Sequence, residues 1–305
     1  MENRTTGTSF MLLGLTDRPE LQTPIFVMFL LIYAVTLVGN VGIVLIIIMN
    51  SKLHTPMYFF LANLSFVDLG YSTCAVPKML VNFATGSQSI YLISCAMQLY
   101  FFAAFLISEF YILMLMAFDR YMAICHPLHY THRMSHRFCI LLVVLTYVYG
   151  FTDAMTQAVL TFRLSYCGSH EIHGFFCADP PLLTLSCSDI RIKQMVLLMS
   201  CCFNLSITIL AIFVSYVFII SAILRIRSAD ARRKTFSTCS SHLMSVIIFY
   251  GTLFFMYVRP STLQSVDEHK VVTVFYSAVI PMLNPLIYGL RNREVKEALK
   301  KGIHV

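Results

Sequence analysis

The sequence predicts an all-α membrane protein: a bundle of seven transmembrane helices with the N-terminus outside, the C-terminus inside and a short amphipathic C-terminal helix. Three observations lead to this prediction: the composition, the charge-free runs and the distribution of basic residues. Of 305 residues, 58% are hydrophobic and only 12% are charged, and the mean hydropathy is +0.74. Soluble domains carry about 25% charged residues. The composition therefore excludes a soluble enzyme and a disordered chain.

The helices are predicted from runs that are long, apolar and poor in charge, since a spanning helix needs about 20 such residues. The seven predicted spans cover residues 25–49, about 57–80, 92–122, about 138–160, 194–224, about 235–258 and 271–290. They divide the chain into an external tail (1–24), a transmembrane domain (25–290) and a cytoplasmic tail (291–305). Within that tail, residues 291–301 are predicted as a helix lying on the inner leaflet, with an ordinary solvated tail as the alternative.

The orientation follows from lysine and arginine. Fourteen of these residues fall on the predicted cytoplasmic side and eight on the outer side, and cytoplasmic loops carry the excess of positive charge. We therefore predict a multi-pass protein of the plasma membrane, whose net charge of +7 suits anionic membrane lipids rather than nucleic acid. The triplet Asn3-Arg4-Thr5 predicts glycosylation of Asn3 in the external tail. We expect no cleavable signal peptide before the first span.

Four of the ten cysteines fall on the outer side, where disulfides form. They are Cys95, Cys167, Cys177 and Cys187. Four cysteines allow three pairings, and the composition of the loop does not choose among them. We reject two metal interpretations. Adjacent Cys201 and Cys202 point about 100° apart on a helix, and the histidines at 126, 129, 132 and 136 are interrupted by Pro127 and have no carboxylate beside them.

Three acidic residues stand out in the interior of the predicted spans, away from the membrane edge: Asp68, Glu109 and Asp153. A charge there costs about 2.5–3.5 kcal/mol on insertion scales, so it indicates function or close pairing. With Asn40 and Asn284, these acids predict a polar centre, which is either a cation or proton site or a hydrogen-bonded packing centre. An intramembrane aspartyl protease is disfavoured because the Gly-rich motif expected around its catalytic aspartate is absent.

Two motifs lie at the inner membrane edge. Asp119-Arg120-Tyr121 ends the third span, and Asn284-Pro285-Leu286-Ile287-Tyr288 ends the seventh. A proline inside a spanning helix frees a backbone carbonyl and permits a kink. An arginine at the membrane edge can pair with its neighbouring acid or reach the backbone carbonyls of a partner protein.

Together these motifs resemble those of rhodopsin-type G-protein-coupled receptors, and further segments resemble vertebrate odorant receptors. Those segments are Gly39-Asn40, 53–61, 116–130, Ser215-Tyr216, 234–243 and 281–288. The resemblance extends from about residue 10 to about residue 300. It implies the disulfides Cys95–Cys177 and Cys167–Cys187.

The resemblance implies an odorant site between the third, fifth, sixth and seventh spans. Residues spaced at three and four positions share a helix face, which gives the candidates Leu99, Phe102, Ala103, Leu106 and Ile107 on the third span, and Tyr250, Leu253, Phe254 and Tyr257 on the sixth. Asn204 and Ser277 could supply hydrogen bonds. Phe102 and Ala103 occupy the face where an amine receptor needs a carboxylate, so we predict a small, neutral, mainly apolar odorant. Every buried helix face carries such stripes, so plain packing stays open as the alternative.

The resemblance also implies coupling to a stimulatory olfactory-type G protein and a rise in cyclic AMP. The implied activation residues are Asp119, Arg120, Tyr121, Tyr216, Asn284, Pro285 and Tyr288. Asp68 and Glu109 resemble a sodium site, and no other cofactor is expected. A transporter would show two matching halves, into which seven spans do not divide, and a membrane enzyme would need a catalytic constellation that we do not find.

Overall fold

A computed structural model describes residues 9–15, 18–167, 170–258, 270, 273–291 and 295–296. The long helices are α1 (Pro19–Met49), α2 (Pro56–Thr85), α3 (Leu92–Cys125), α5 (His136–Phe162), α7 (Arg191–Leu224), α8 (Ala229–Val258) and α9 (Ile280–Arg291). Short elements connect them: a 3₁₀ turn (Ser51–Leu53), α4 (Pro127–Arg133), α6 (Asp179–Leu183) and a π-helical turn (Phe275–Val279) that runs directly into α9.

Five of these helices, α1, α2, α3, α5 and α7, are long and apolar enough to cross a membrane. The sixth predicted span lies within α8, and the described part of the seventh is divided between the π-helical turn and α9. The first helix begins at Pro19, earlier than the predicted residue 25. Proline is tolerated in the first turn because its missing N–H would have no helical partner there. Residues 19–24 therefore belong to α1 and not to a separate tail.

Helix α3 is the centre of the bundle and contacts α2, α5, α7 and α8. Close approach of α5 depends on Gly150, where a Cβ atom would lie 2.8 Å from Ser108 Oγ and 3.1 Å from the carbonyl oxygen of Ala104. Large apolar side chains such as Leu31, Val38 and Ile48 are exposed on the outside of the bundle. Such a surface suits surrounding lipid, because lipid tails are as apolar as a protein core.

A small sheet at one end of the bundle was not predicted. Strand β1 (Ser9–Leu12) lies between β2 (Ser89–Tyr91), to which it is antiparallel, and β3 (Glu171–Ile172), to which it is parallel. The alternation of the strand buries Phe10 and Leu12 and exposes Ser9 and Met11. The N-terminal segment is therefore part of the folded structure and joins two loops that are distant in sequence.

Two disulfides lie at this same end and are the pairs that the resemblance implied: Cys95–Cys177 and Cys167–Cys187. We call it the disulfide end, and the opposite end, where α3 carries Asp119 and Arg120, the Arg120 end. Cys95 opens α3 and Cys177 precedes α6, so the first disulfide ties the long loop between α5 and α7 to the central helix.

Candidate functional site: a ligand region and a helix switch

An aromatic cluster lies in the half of the bundle nearer the disulfide end. The Phe102 ring lies 4.7 Å from Tyr71 of α2, 4.6 Å from Phe176 of the long loop and 6.0 Å from Tyr276 of the π-helical turn, measured between ring centroids. All four side chains are buried. Of these residues the sequence analysis proposed only Phe102, although Phe176 could have been noticed as the neighbour of Cys177.

The loop residue Phe176 is held over α3 by its neighbour Cys177. Besides its disulfide to Cys95, Cys177 donates its backbone N–H to Gln98 Oε1 at 2.9 Å. Gln98 Nε2 in turn donates to the carbonyl oxygen of Cys74 on α2 at 2.6 Å. One amide side chain thus joins α2, α3 and the loop, and the loop forms the roof of the aromatic cluster.

The predicted ligand stripe on α3 does not face one wall. Phe102 and Leu106 pack in the central core, whereas Leu99 packs under the loop with Cys95 and Cys177. The other two members belong to a cluster with Ala154 of α5: Ile107 is one of its buried residues, and Ala103 packs against it. Steps of three and four residues spread over more than a third of the helix circumference, so a stripe of five residues contacts several neighbours.

The predicted stripe on α8 needs one correction. Tyr250 and Leu253 are buried, but 67% of the Phe254 side chain is exposed on the outside of the bundle, so its assignment to the ligand site is wrong. The two adjacent positions 253 and 254 differ by about 100° around the helix. Contact with lipid costs an aromatic side chain no free energy. The apolar character of Phe254 therefore does not indicate whether it faces the bundle interior or the lipid. The Tyr257 side chain lies outside the described structure.

Asn204 is also corrected, because the protein itself occupies its amide. Its Oδ1 accepts hydrogen bonds from the Tyr111 and Tyr149 hydroxyls at 2.9 and 3.0 Å, and its Nδ2 donates to Asp153 Oδ2 and Ser200 Oγ, both at 3.1 Å. This network joins α3, α5 and α7 and explains the intramembrane Asp153. Asn204 is therefore a packing residue in this arrangement and has no spare hydrogen-bonding group for a ligand.

Ser277 differs from Asn204. It lies in the π-helical turn, fully buried, and its hydroxyl has no hydrogen-bond partner among the described residues. A buried hydroxyl without a partner is costly, and π-helical turns occur frequently at functional sites. Ser277 therefore remains a candidate for contact with a ligand.

The polar centre forms at mid-bundle as the sequence suggested. Asn284 Nδ2 donates to both carboxylate oxygens of Asp68, at 3.0 and 3.2 Å. Glu109 is equally buried, and neither of its carboxylate oxygens has a hydrogen-bond partner in the described part of the chain. A buried carboxylate is strongly disfavoured unless it is paired or neutralised. The carboxylates of Asp68 and Glu109 are hard oxygen ligands, so this donor set fits a small cation.

Gly39 and Asn40 of α1 contact the two prolines of the last helix, Pro281 and Pro285. Pro285 has no N–H, so the carbonyl of Pro281 loses its helical partner, and Asn40 Nδ2 donates to that carbonyl at 2.9 Å. A Cβ atom at Gly39 would lie 2.9 Å from the Pro285 ring. The glycine permits α1 to approach α9, and the asparagine satisfies the backbone group that the proline leaves free.

At the Arg120 end, Asp119 is held by the short helix α4. The Tyr130 hydroxyl donates to Asp119 Oδ1 at 2.8 Å, and the aspartate is buried. Burial, and then the adjacent Asp119 carboxylate, raise the pKa of Tyr130, which keeps the phenol protonated as the donor. The Tyr121 hydroxyl oxygen lies 3.0 Å from His126 Nε2. The loop helix is therefore fastened to the motif that contains Arg120.

His242 of α8 joins three helices. Its Nε2 lies 3.0 Å from the carbonyl oxygen of Leu113 on α3, and its Nδ1 lies 2.7 Å from the Tyr216 hydroxyl on α7. In the neutral tautomer with the proton on Nε2, the imidazole donates to the carbonyl and accepts from the phenol. The same phenol also donates to the carbonyl oxygen of Cys239 at 3.2 Å, so its proton is shared between the two acceptors. The Tyr216 and His242 rings are stacked and buried. His242 lies in the segment 234–243 that carries the family resemblance, but no pattern in the sequence indicates its contacts with α3 and α7.

Two further features complete the Arg120 end. Tyr288 of α9 is buried, and Leu128 on α4 is 93% exposed. An apolar side chain so exposed on a loop helix is a candidate partner contact, and the sequence analysis did not single it out. Asn3 lies outside the described residues, as does most of the predicted C-terminal helix, of which Val295 and Lys296 are described as helical.

Comparison with known proteins agrees with this arrangement. A family model described as olfactory receptor matches residues 29–304. The chain is 54% identical over 294 residues to mouse olfactory receptor 5M5, covering 96% of this chain and 92% of that receptor. It is also 54% identical over 293 residues to human olfactory receptor 5M11, covering 96% of each. A crystal structure of squid rhodopsin matches with a TM-score of 0.71 at 16% identity, covering 94% of this chain and 82% of that one. The last likeness shows the fold alone and confirms the rhodopsin-like helical bundle.

Proposed function

The chain belongs to the olfactory receptor family of G-protein-coupled receptors, and from this premise we propose that it detects a small, neutral, mainly apolar odorant and raises cyclic AMP through a stimulatory olfactory-type G protein. Members of this family are receptors, so the chain is an odorant receptor and not an enzyme. Its family also makes it a multi-pass protein of the plasma membrane. We propose that the disulfide end faces outside, which the excess of lysine and arginine on the other side supports.

One observation carries the proposed ligand class: the aromatic cluster around Phe102. None of its four side chains is charged, and its roof is the loop residue Phe176. Apolar walls with few polar groups select small apolar ligands, and the unpartnered Ser277 hydroxyl could orient one polar atom of the odorant. By contrast, an amine would need a carboxylate at this wall.

For transduction, we propose a population shift between two helix packings. The His242 contacts with α3 and α7 favour the packing described here. An odorant near Tyr250 would move α8 outward, break those contacts and open a cleft beside Arg120, Tyr216 and Tyr288. The G protein would then meet exposed Leu128 and the basic segment at the start of α8, whose residues include Arg232 and Arg233.

The test is receptor-dependent cyclic AMP in cells expressing the full chain, measured across a panel of neutral odorants and amines. We expect responses to neutral odorants, lost in Arg120→Ala although its surface expression is unchanged. Arg163→Ala, which removes an exposed arginine at the disulfide end, is the matched control and should respond normally. Strong activation only by amines would overturn the ligand class, and signalling by Arg120→Ala would overturn its role.

We further propose that Asp68 and Glu109 hold a sodium ion. The support is the pair of buried carboxylates, one of which lacks any donor in the described structure. When bound, the ion would neutralise them and stabilise this packing. We expect Asp68→Asn or Glu109→Gln to change basal cyclic AMP and to remove its dependence on sodium. Ser72→Ala, a buried neighbour whose hydroxyl bonds only its own helix backbone, is the control. An unaltered sodium response in both acid variants would leave the two acids as packing residues.

A further inference from the structure

A groove of about 540 Å³ opens near the Arg120 end. It lies between α1, α2 and α5, and the 3₁₀ turn and α4 border it. Most of its lining is apolar and includes Ile47, Leu53, Phe59, Ala62 and Met134. Four polar side chains join the lining near the loops: His54, Thr131, Ser135 and His136. A mainly apolar groove with polar side chains near the loops fits an amphipathic molecule whose chain lies against α2.

The polar part of the groove is held in place by the protein. His54 Nε2 lies 3.2 Å from the carbonyl oxygen of Ile48, the last turn of α1. The His136 ring packs edge-on against Phe59 with centroids 5.9 Å apart. Both imidazoles are nonetheless exposed at the rim, so each presents polar edges to a ligand that enters the groove.

Basic residues flank the lining of the groove in sequence, and no acidic residue lies in the same segments. Lys52, Arg133 and Arg137 are exposed, and each adjoins a lining residue in sequence. The segments 47–62 and 131–139 contain no aspartate or glutamate. Helices α2 and α5 both begin at the groove, and neither has an acidic residue in its first turn or a side-chain cap. The positive dipole ends of these two helices add to the charge of the basic side chains. At the negative end of α1, His54 contacts one of the free carbonyl oxygens, that of Ile48.

From this charge complementarity we propose that the groove binds an anionic phospholipid of the inner leaflet, with its phosphate at the His54–His136 rim and one acyl chain along Phe59 and Ala62. Basic pockets between transmembrane helices on the cytoplasmic side bind such headgroups. The proposal rests on the orientation proposed above, which puts this end inside. It requires neither an odorant nor a G protein.

The test uses the full-length receptor purified in mild detergent, incubated with phosphatidylserine or phosphatidylcholine of identical acyl chains, and native mass spectrometry to count retained lipid. We expect preferential retention of phosphatidylserine. Lys52→Gln and Arg137→Gln should each weaken it about five-fold, from about 1 kcal/mol per basic residue. Arg191→Gln, which removes an exposed charge at the other end, should have no effect.

The apolar part is tested separately. Ala62→Phe fills the groove, and Ile48→Asn places a polar group on its wall at an exposed position. Both should reduce lipid retention. Equal retention of the two lipids would overturn the proposal. It would also be overturned if the charge variants reduced retention and the wall variants did not, because the lipid would then be adsorbed to the surface and not held in the groove. Arg120→Ala should retain the lipid, so a failed signalling test and a failed lipid test remain distinguishable.

Discussion

Replacing Asp179 by leucine should destabilise the receptor more than any exposed charge substitution, because it leaves a lysine buried without its counter-ion. Lys193 Nζ lies 2.9 Å from Asp179 Oδ2, 2.7 Å from Gln157 Oε1 and 3.1 Å from the Gln157 carbonyl oxygen. The lysine side chain is 1% exposed and the aspartate 12%. Thr161 also donates to Asp179 Oδ1 at 2.5 Å. The pair fastens the loop helix α6 to the ends of α5 and α7.

The magnitude follows from this burial. Removing one partner of a buried ion pair costs about 3–5 kcal/mol, whereas replacing both by apolar residues of similar size is often nearly neutral. In Asp179→Leu, Lys193 keeps its two hydrogen bonds to Gln157. The loss of stability should therefore lie near the lower limit of this range. At about 2–3 °C per kcal/mol for a chain of this size, a loss of about 3 kcal/mol should lower the melting temperature by about 6–9 °C. The double variant Asp179→Leu, Lys193→Met should recover at least half of that loss.

The assay is thermal denaturation of purified receptor followed with a thiol-reactive dye. The chain carries its own reporters, since Cys139 and Cys239 are free and buried. Arg191→Met is the control. Arg191 lies 4.0 Å from Asp189, and their side chains are 90% and 72% exposed. Exposed ion pairs contribute about 0–1 kcal/mol, so this variant should change the melting temperature little. A double variant as unstable as the sum of the two single variants would refute the coupling that the buried geometry requires.

Two further predictions concern the helix contacts. His242→Phe removes the hydrogen bonds to Leu113 and Tyr216. At about 0.5–1.5 kcal/mol each, their loss should raise the ratio of active to inactive receptor about 5- to 150-fold, seen as higher cyclic AMP without odorant. Unchanged basal signalling would contradict the proposed restraint. Gly39→Leu should lower the melting temperature, because its Cβ meets Pro285 at 2.9 Å, while Gly42→Leu, with nothing within 4 Å, should not. Overpacking costs about 1–3 kcal/mol, so equal melting temperatures would refute the close approach.

The two helix motifs show how far the sequence reached towards the site. Asn284 and Pro285 were selected from their position in the last span, and both lie where the structure has polar contacts, to Asp68 and to the region of Asn40. Intramembrane polarity is a strong signal because it is costly. Asp153 and Asn204 were likewise noticed, but their mutual hydrogen bond was not foreseen, so the amide was assigned to a ligand.

Apolar positions were harder to assign. Phe254 and Leu253 are adjacent and equally apolar, yet one faces outward and the other is buried. In a soluble protein water would separate them, but lipid solvates an apolar side chain as well as the bundle interior does. The same ambiguity applies to Ala103 and Ile107, which belong to the cluster that includes Ala154 of α5, so their predicted contact with a ligand stays a prediction.

The sequence by itself determined the approximate positions of the long helices, the family and the positions of the intramembrane polar residues, because each rests on composition or on a local pattern. Only the tertiary structure decided which face of each helix points inward, that Lys193 is buried beside Asp179, and that the N-terminal strand lies between two loops. These depend on contacts between residues far apart in the chain. No local pattern encodes such contacts when both the interior and the surroundings of the bundle are apolar.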